Sequence, residues 1–424
     1  MNVDGSRLLA SLRHLATFSR PGPSGAVTRL PWTPEDAAAV RYLAEGLRAA
    51  GLHVRQDAIG NLWGTWDVSA PRTIILGSHR DSVPAGGAFD GALGVVAALE
   101  VVRRLRETGY RPRHNLEVVA WNDEEGARFG TTLFGSRVFV GALDPRRVAD
   151  RVDADGVSLG EAAARHGFPV ERMLPASDLG HVAAYLELHI EQGPLLEREG
   201  RTIGVVSGIG AIYQRRITLR GTRLHAAYSG TDRHDPVLVA SGALAALDEA
   251  VRAANAGREE ARVGATVGMW RPSSELINVV PEEVRFTVDL RGPDPAVVLP
   301  ILDGFVAEVE RLASAAGVEV LLEAVNDHTT LAGGGDPTRP LLFDAALGER
   351  VNQAAGERRL PRRAIFSWAG HDAMAMAPRV PTAMIFVPSR RGLSHTAMEY
   401  TVDDDVVHGA DVLLATLLAV DAEG

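Results

Sequence analysis

The run Gly77-Ser78-His79-Arg80-Asp81-Ser82-Val83, continuing through Pro84-Ala85-Gly86-Gly87 to Phe89-Asp90-Gly91, decides how this chain is read. Before it stands Thr73-Ile74-Ile75-Leu76, a short apolar run rich in β-branched residues, which reads as a buried strand. His79 then emerges at the carboxyl end of that strand. A loop rich in Gly and Pro carries Asp90, and an Ala/Leu/Val/Glu helix over 92–106 follows, closed near Gly109. In open α/β sheets this lip is where ligands bind. Imidazole nitrogen and carboxylate oxygen are both zinc ligands, and Asp81 is expected to accept the imidazole N–H of His79 and fix its tautomer. Taken alone, His79 and Asp90 also fit the plainer description of loop residues with ordinary hydrogen bonds.

The same device recurs along the chain. Asn115-Leu116-Glu117-Val118-Val119-Ala120-Trp121 reads as a strand and runs into Asn122-Asp123-Glu124-Glu125-Gly126. Three acids in a row repel one another, and a solvated turn would carry them without function. Their arrival at a strand end favours function. Adjacent side chains on an extended segment diverge, so one of Glu124 and Glu125 can ligate while the other faces substrate. A third strand-like run, from Ala183 on, ends in His189-Ile190-Glu191-Gln192-Gly193. A fourth, Thr382-Ala383-Met384-Ile385-Phe386-Val387, precedes Arg391-Gly392-Leu393-Ser394-His395. Repetition of strand, loop and His is what raises a metal site above the plainer description.

Composition bounds the rest. A chain of 424 residues exceeds one typical core, so two domains are expected. No apolar run approaches the roughly 18–20 residues of a membrane span, and the amino terminus shows no signal-peptide core, so a cytoplasmic protein is expected. Without cysteine, any metal must be held by His, Asp and Glu. A net charge of -10 with no basic run argues against nucleic acid. All 44 basic residues are arginine, which excludes lysine Schiff-base and P-loop chemistry.

From about Gly208 the texture changes. Strands are expected over 213–219, 262–270, 275–280, 283–290 and 318–325, and helices over 235–253 and 295–316. This order suits a small α+β sandwich, an antiparallel sheet with helices on one face. The αβ grammar returns after Gly333-Gly334-Gly335. The expected fold is therefore α/β: a mixed-sheet catalytic domain in two segments, 1–207 and 328–424, with an inserted ferredoxin-like lid over 208–327. Clefts between domains are favoured ligand sites.

Two divalent ions can share Asp90 as a bridge, with His79 and His189 completing one and Glu125 and His395 the other. A set of oxygen and nitrogen ligands with open positions suits zinc, or manganese, cobalt or nickel in its place. Such a centre acidifies water and polarises a carbonyl. Glu124 would take the water's proton and pass it to a leaving nitrogen. The reaction class is hydrolysis of an amide-type C–N bond with no covalent enzyme intermediate.

These residues resemble the hydantoinase/carbamoylase family of zinc amidohydrolases, within the clan of aminoacylases and glutamate carboxypeptidases. The shared blocks are GSHxDSV at 77–83, FDG at 89–91, DEEGxRFG at 123–130, GSR at 135–137, HIEQG at 189–193, INVVPE at 277–282, DLR at 289–291, AGHDA at 369–373 and GLSHTAME at 392–399. The resemblance implies the same metal roles and adds substrate contacts. Asn278 and Arg291 resemble a pair that holds the substrate carboxylate, for which an Arg fork is suited. Gln192 and His371 resemble substrate-amide contacts. His225 resembles a lid histidine that reaches a neighbouring subunit's active site and stabilises the oxyanion, which implies a homodimer through the lid.

The chain departs from the family at three places. After His225 it reads Ala226-Ala227-Tyr228-Ser229-Gly230-Thr231 where Ala-Gly-x-Thr-Pro-Met is usual, and Trp368 and Arg80 replace a glycine and an uncharged residue. Tyr228 and Trp368 would narrow the pocket, and Arg80 would add a cation or point away. An N-carbamoyl (ureido) amino acid is the expected substrate. The alternatives are N-acyl amino acids or dipeptides, and allantoate. A metal-dependent binding protein without catalysis is disfavoured, because it needs no base at Glu124.

Overall fold

The structure is a computed structural model and describes residues 1–257, 263–327 and 339–423. The expected strand start at Arg262 and the return at Gly333-Gly334-Gly335 lie outside the described residues. The chain divides into two compact units, one holding Met1–Gly208 and the stretch from Leu342 onward, the other beginning at Ile209.

In the first unit the strand order across the sheet is His53–Gln56, Leu62–Trp66, Asn115–Trp121, Thr73–His79, Val182–Ile190, Thr382–Val387 and Ile203–Ile209, and Arg362–Ser367 also pairs with the last of these. The sheet is mixed. Thr73–His79 runs parallel to Asn115–Trp121 and to Val182–Ile190, which runs parallel to Thr382–Val387. Leu62–Trp66 and Ile203–Ile209 are antiparallel to their neighbours. Four parallel strands thus end on one edge, and the register sets His79 opposite Trp121 and His189 opposite Phe386. The first of them is buried at all seven residues, as a continuous β-branched run covered on both faces should be.

Helix Ala92–Glu107 packs against this sheet, with Leu93, Val96, Ala97 and Val101 among its buried residues. Gly94 allows the close approach: a Cβ there would meet the Leu188 carbonyl at 2.4 Å. Helix Pro34–Ala49 opens with Thr33 as N-cap and Pro34 at its first position. Helix Asp403–Asp421 closes the core. Among the described residues no helix is long and apolar enough to cross a membrane.

The second unit has an antiparallel sheet in the order Glu319–Asp327, Ala211–Arg220, Glu283–Gly292, Gly264–Pro272. Helices Pro236–Asn255 and Pro295–Ala316 pack on it, each started by an Asp N-cap followed by Pro. A separate two-stranded ribbon pairs Leu224–His225 with Val279–Val280. The strand expected over 275–280 is confined to its last two residues. The Ser274 hydroxyl accepts from Leu276 N, and Val279 N turns back to the Leu276 carbonyl at 3.3 Å, so that backbone is folded locally.

Candidate metal centre

Three loops and one strand face converge where the parallel strands end. His79 is the last residue of its strand, and Asp90 follows on the loop before Gly91. Gly91 has φ 64°, and a Cβ there would sit 2.3 Å from the His79 ring, so only glycine lets the helix start this close to the imidazole. His79 Nε2 lies 3.4 Å from Asp90 Oδ1, and His189 Nε2 lies 3.1 Å from the same oxygen. On the other side, His395 Nε2 is 3.4 Å from Asp90 Oδ2 and 3.2 Å from Glu125 Oε2. One ligand atom each from His79, Asp90 and His189 lies within 4.8 Å of the others, and the same holds for Asp90, Glu125 and His395. His79, Glu124 and Glu125 form a third such group, and Glu187, His189 and His371 a fourth.

The donor set fits a cation. His79 Nδ1 faces the Asp81 carbonyl at 3.2 Å, and His189 Nδ1 faces the Ile190 carbonyl at 2.9 Å. A carbonyl only accepts, so each Nδ1 carries a ring proton and each Nε2 is left to face Asp90. Both Nε2 atoms point at a carboxylate oxygen, so a positive charge belongs between them: a bound cation, or a second ring proton when none is held. Asp90 Oδ1 and Glu125 Oε1 are buried with no hydrogen-bond donor of their own. Two such triads sharing a carboxylate can hold two cations.

The electrostatics follow from burial and crowding. Burial works to raise the Asp90 carboxyl, but His189, His395 and His79 outweigh it and hold it well below the ordinary range. Burial opposes charge on His79, yet Glu124, Asp90 and Asp81 raise it well above its usual value. His189 is also raised, against burial, by Asp90 and Glu187. His395, bonded to Asp90 and Glu125, is pushed up to about 11. Glu124 is raised by burial and by Glu125, Asp372 and Asp81, against the pull of His79.

A raised histidine stabilises the fold fully below its unfolded value of about 6.5 and loses that contribution as pH climbs through the folded value. Depressed Asp90 acts oppositely, losing its contribution only as acid protonates it. Protein stripped with a chelator should therefore lose thermal stability between pH 6.5 and 9, and added zinc should flatten the slope. Differential scanning fluorimetry across that range checks it. A stripped protein whose Tm rises with pH would contradict it.

The other sequence-derived residues are placed as follows. Gln192 Nε2 donates to Asp90 Oδ2 at 2.7 Å. The His371 ring packs on His189 at 4.4 Å between centroids, and its Nε2 is 2.8 Å from Ser367 Oγ. His225, Asn278 and Arg291 belong to the second unit. There Asn278 Nδ2 is 3.3 Å from His225 Nε2, and Arg291 forks onto Asp289 at 2.8 and 2.9 Å. Tyr228 donates to Asp232, and Trp368 is half-buried.

One expectation is corrected. The Asp81 carboxylate does not meet His79 Nδ1, from which it is 3.8 Å away; its oxygens accept Glu124 N at 3.0 Å and Glu125 N at 3.1 Å. The backbone carbonyl of Asp81 takes the imidazole instead. Of the two readings of Arg80 the structure bears out the second: it points away from the centre and is buried against Asp36.

Sequence reasoning passed over Glu399 and Glu187. Glu399 Oε1 accepts Phe89 N and Asp90 N at 2.9 and 3.0 Å, and Ser394 Oγ lies 2.6 Å from Asp90 Oδ2 and 2.8 Å from Glu399 Oε2. Glu187 holds Ser78 Oγ at 2.7 Å and Ala373 N at 2.9 Å. Glu187 stands two residues before His189 on one strand, hence on the same face, and that signal was readable. An acid five residues past Ser394 carried no periodic signal.

Comparison with known proteins meets this geometry. The description Peptidase family M20/M25/M40 matches residues 75–419. The chain belongs to the M20 peptidase family. It is thus a member of a family of metal-dependent hydrolases. Among curated relatives of this M20 chain, N-carbamoyl-L-amino-acid amidohydrolase of Paenarthrobacter aurescens is 39% identical, covering 99% of this chain and 98% of the relative. Ureidoglycolate hydrolase of Arabidopsis thaliana is 33% identical over 98% of this chain and 87% of its own. A solved amidase of the hydantoinase/carbamoylase family from Burkholderia vietnamiensis matches with TM-score 0.85 at 36% identity, covering 99% of this chain and 98% of that one. The family likeness drawn from the spaced motifs is therefore matched by the relatives.

Proposed function

We propose that this M20 hydrolase cleaves the C–N bond of an N-carbamoyl amino acid, using two divalent cations, most simply Zn2+, held by His79, Asp90, His189, Glu125 and His395. The single observation that carries the reading is the pair of ligand triads sharing Asp90, with Glu124 beside them. Such cations, when bound, supply a Lewis acid and a water acidified toward neutrality.

The chain's own groups do the rest. Glu124 Oε2, 3.8 Å from His79 Nε2, takes the attacking water's proton and returns it to the leaving nitrogen. Its backbone N–H is held by Asp81, which anchors the loop that carries the carboxylate. Gln192 and His371 flank Asp90 and His189 and serve the substrate amide. Arg291 and Asn278 are assigned to the substrate carboxylate, and His225 to the oxyanion. The second unit, whose strand order is that of a ferredoxin-like sandwich, is proposed as a lid through which two copies associate. Its edge strand Gly264–Pro272 exposes Val267 and Trp270, the kind of surface a second copy would cover. A fully active monomer in sedimentation would end that part of the proposal.

The deciding experiment is a panel of N-carbamoyl, N-formyl, N-acetyl and dipeptide substrates, with allantoate and ureidoglycolate, against metal-reconstituted protein. Free amine and ammonia are both read. Amine with ammonia from N-carbamoyl substrates is expected. Amine without ammonia, from acyl substrates alone, would replace this substrate class with the next.

A further inference from the structure

Arg80 stands between His79 and Asp81, yet its side chain turns away from both into the protein, where it is 1% exposed. Its Nε donates to Asp36 Oδ1 at 2.7 Å and its Nη2 reaches Asp36 Oδ2 at 3.3 Å. Nη1 donates to the Ala120 carbonyl at 3.1 Å and Nη2 to Asn122 Oδ1 at 2.7 Å. Its backbone N–H takes the Trp121 carbonyl at 3.2 Å. One residue therefore grips Ala120, Trp121 and Asn122 in succession. These three lead directly into Asp123-Glu124-Glu125.

Asp36 completes the grip from a third direction. It lies in the first turn of helix Pro34–Ala49, is buried, and its Oδ2 also accepts Trp32 N at 3.1 Å. Its charge offsets that of the guanidinium. Asn122 passes the contact on, its Nδ2 donating to the Ile59 carbonyl at 3.2 Å and its backbone N to Asn61 Oδ1 at 3.1 Å. Arg29, also buried, ties the Arg80 carbonyl from behind through its Nε.

We infer that Arg80, anchored by Asp36, is a positioning residue that fixes the spacing between the His79 strand end and the Glu124–Glu125 loop, and so the separation of the two cation sites. The inference rests on the metal-site reading above. His79 ends one strand and Glu125 lies on the loop past its neighbour, and Arg80 joins the two through Ala120 and Asn122, beside the Asp81 carboxylate that holds Glu124 N and Glu125 N. A guanidinium offers a planar fork and enough donors to hold Asp36, Ala120 and Asn122 together. A lysine ammonium has neither the fork nor the reach to all three.

The test separates holding the fold from holding the site. Arg80→Met alone leaves Asp36 buried and unpaired and should lower Tm. Arg80→Met with Asp36→Asn removes both charges and should recover most of that Tm. In the double variant the weaker cation, measured by competition with a chromogenic chelator, should bind about tenfold less tightly or worse. Its kcat should fall about tenfold with KM changed little. Arg80→Lys carries the same two readouts if the double variant does not fold, and should show the same losses. A folded double variant, or a folded Arg80→Lys, with wild-type cation affinity and kcat overturns the inference. Cation affinity is read without substrate, so a wrong substrate class leaves that arm decisive. Wild-type protein that binds no divalent cation overturns the metal reading and the clamp with it.

Discussion

Glu124→Gln should lower kcat by about a thousandfold and leave the metal content of the purified protein unchanged. Glu124 stands beside the ligand triads and is not needed to fill either, so its loss should spare the cations. The amide is nearly isosteric, and the Glu124 backbone N–H would keep its bond to Asp81 Oδ1. What disappears is a group that can hold a proton in transit. Burial and the Glu125, Asp372 and Asp81 carboxylates raise Glu124 well above an ordinary carboxyl, which suits a base that must become an acid within one turnover. Metal by atomic emission and kcat on the best panel substrate decide the matter. Near-wild-type turnover in the variant would remove Glu124 from the mechanism.

Asp90→Asn should be at least as severe, with both cations lost on desalting and turnover down at least about a thousandfold, on the order of 4 kcal/mol of barrier. Asp90 is the carboxylate common to both triads, faced by three imidazoles and by Gln192 and Ser394. An asparagine offers an amide N–H to a lone pair that now meets an oxygen. Near neutral pH the metal-free variant should also melt lower than chelator-stripped wild type, because it lacks the charge with which the imidazoles pair. Retention of two tightly held cations in Asp90→Asn would refute the shared-ligand arrangement.

Much of this was readable from the chain, for a physical reason. Several of the proposed ligands sit at or just past the end of a buried strand, and local periodicity reports buried strands well. His79, His189 and the Asp123-Glu124-Glu125 loop are all of this kind, and parallel strands bring their carboxyl ends to one edge. What escaped is partnership between side chains distant in sequence. Asp36 meets Arg80 across 44 positions and Glu399 meets the Asp90 backbone across 309. Neither leaves a mark on local pattern. The Asp81 error was of the same sort: the residue type and spacing allowed an imidazole partner, but two backbone amides from the loop past the neighbouring strand claimed the carboxylate first. The ribbon at Val279–Val280 was overextended because β-branched residues at its end masked the turn that Ser274 and Leu276 impose.

Three non-glycine residues at the centre, Asp123, Gln192 and His395, have left-handed backbones, with φ of 55°, 58° and 57°. Each such conformation costs of order 1 kcal/mol or more. Anyone evolving this protein for heat tolerance will find relief at these positions easy to select, since glycine removes the penalty at once. The gain would come at the points that aim the proposed base loop, amide contact and metal ligand, so the hardiest descendants of such a screen should be the slowest.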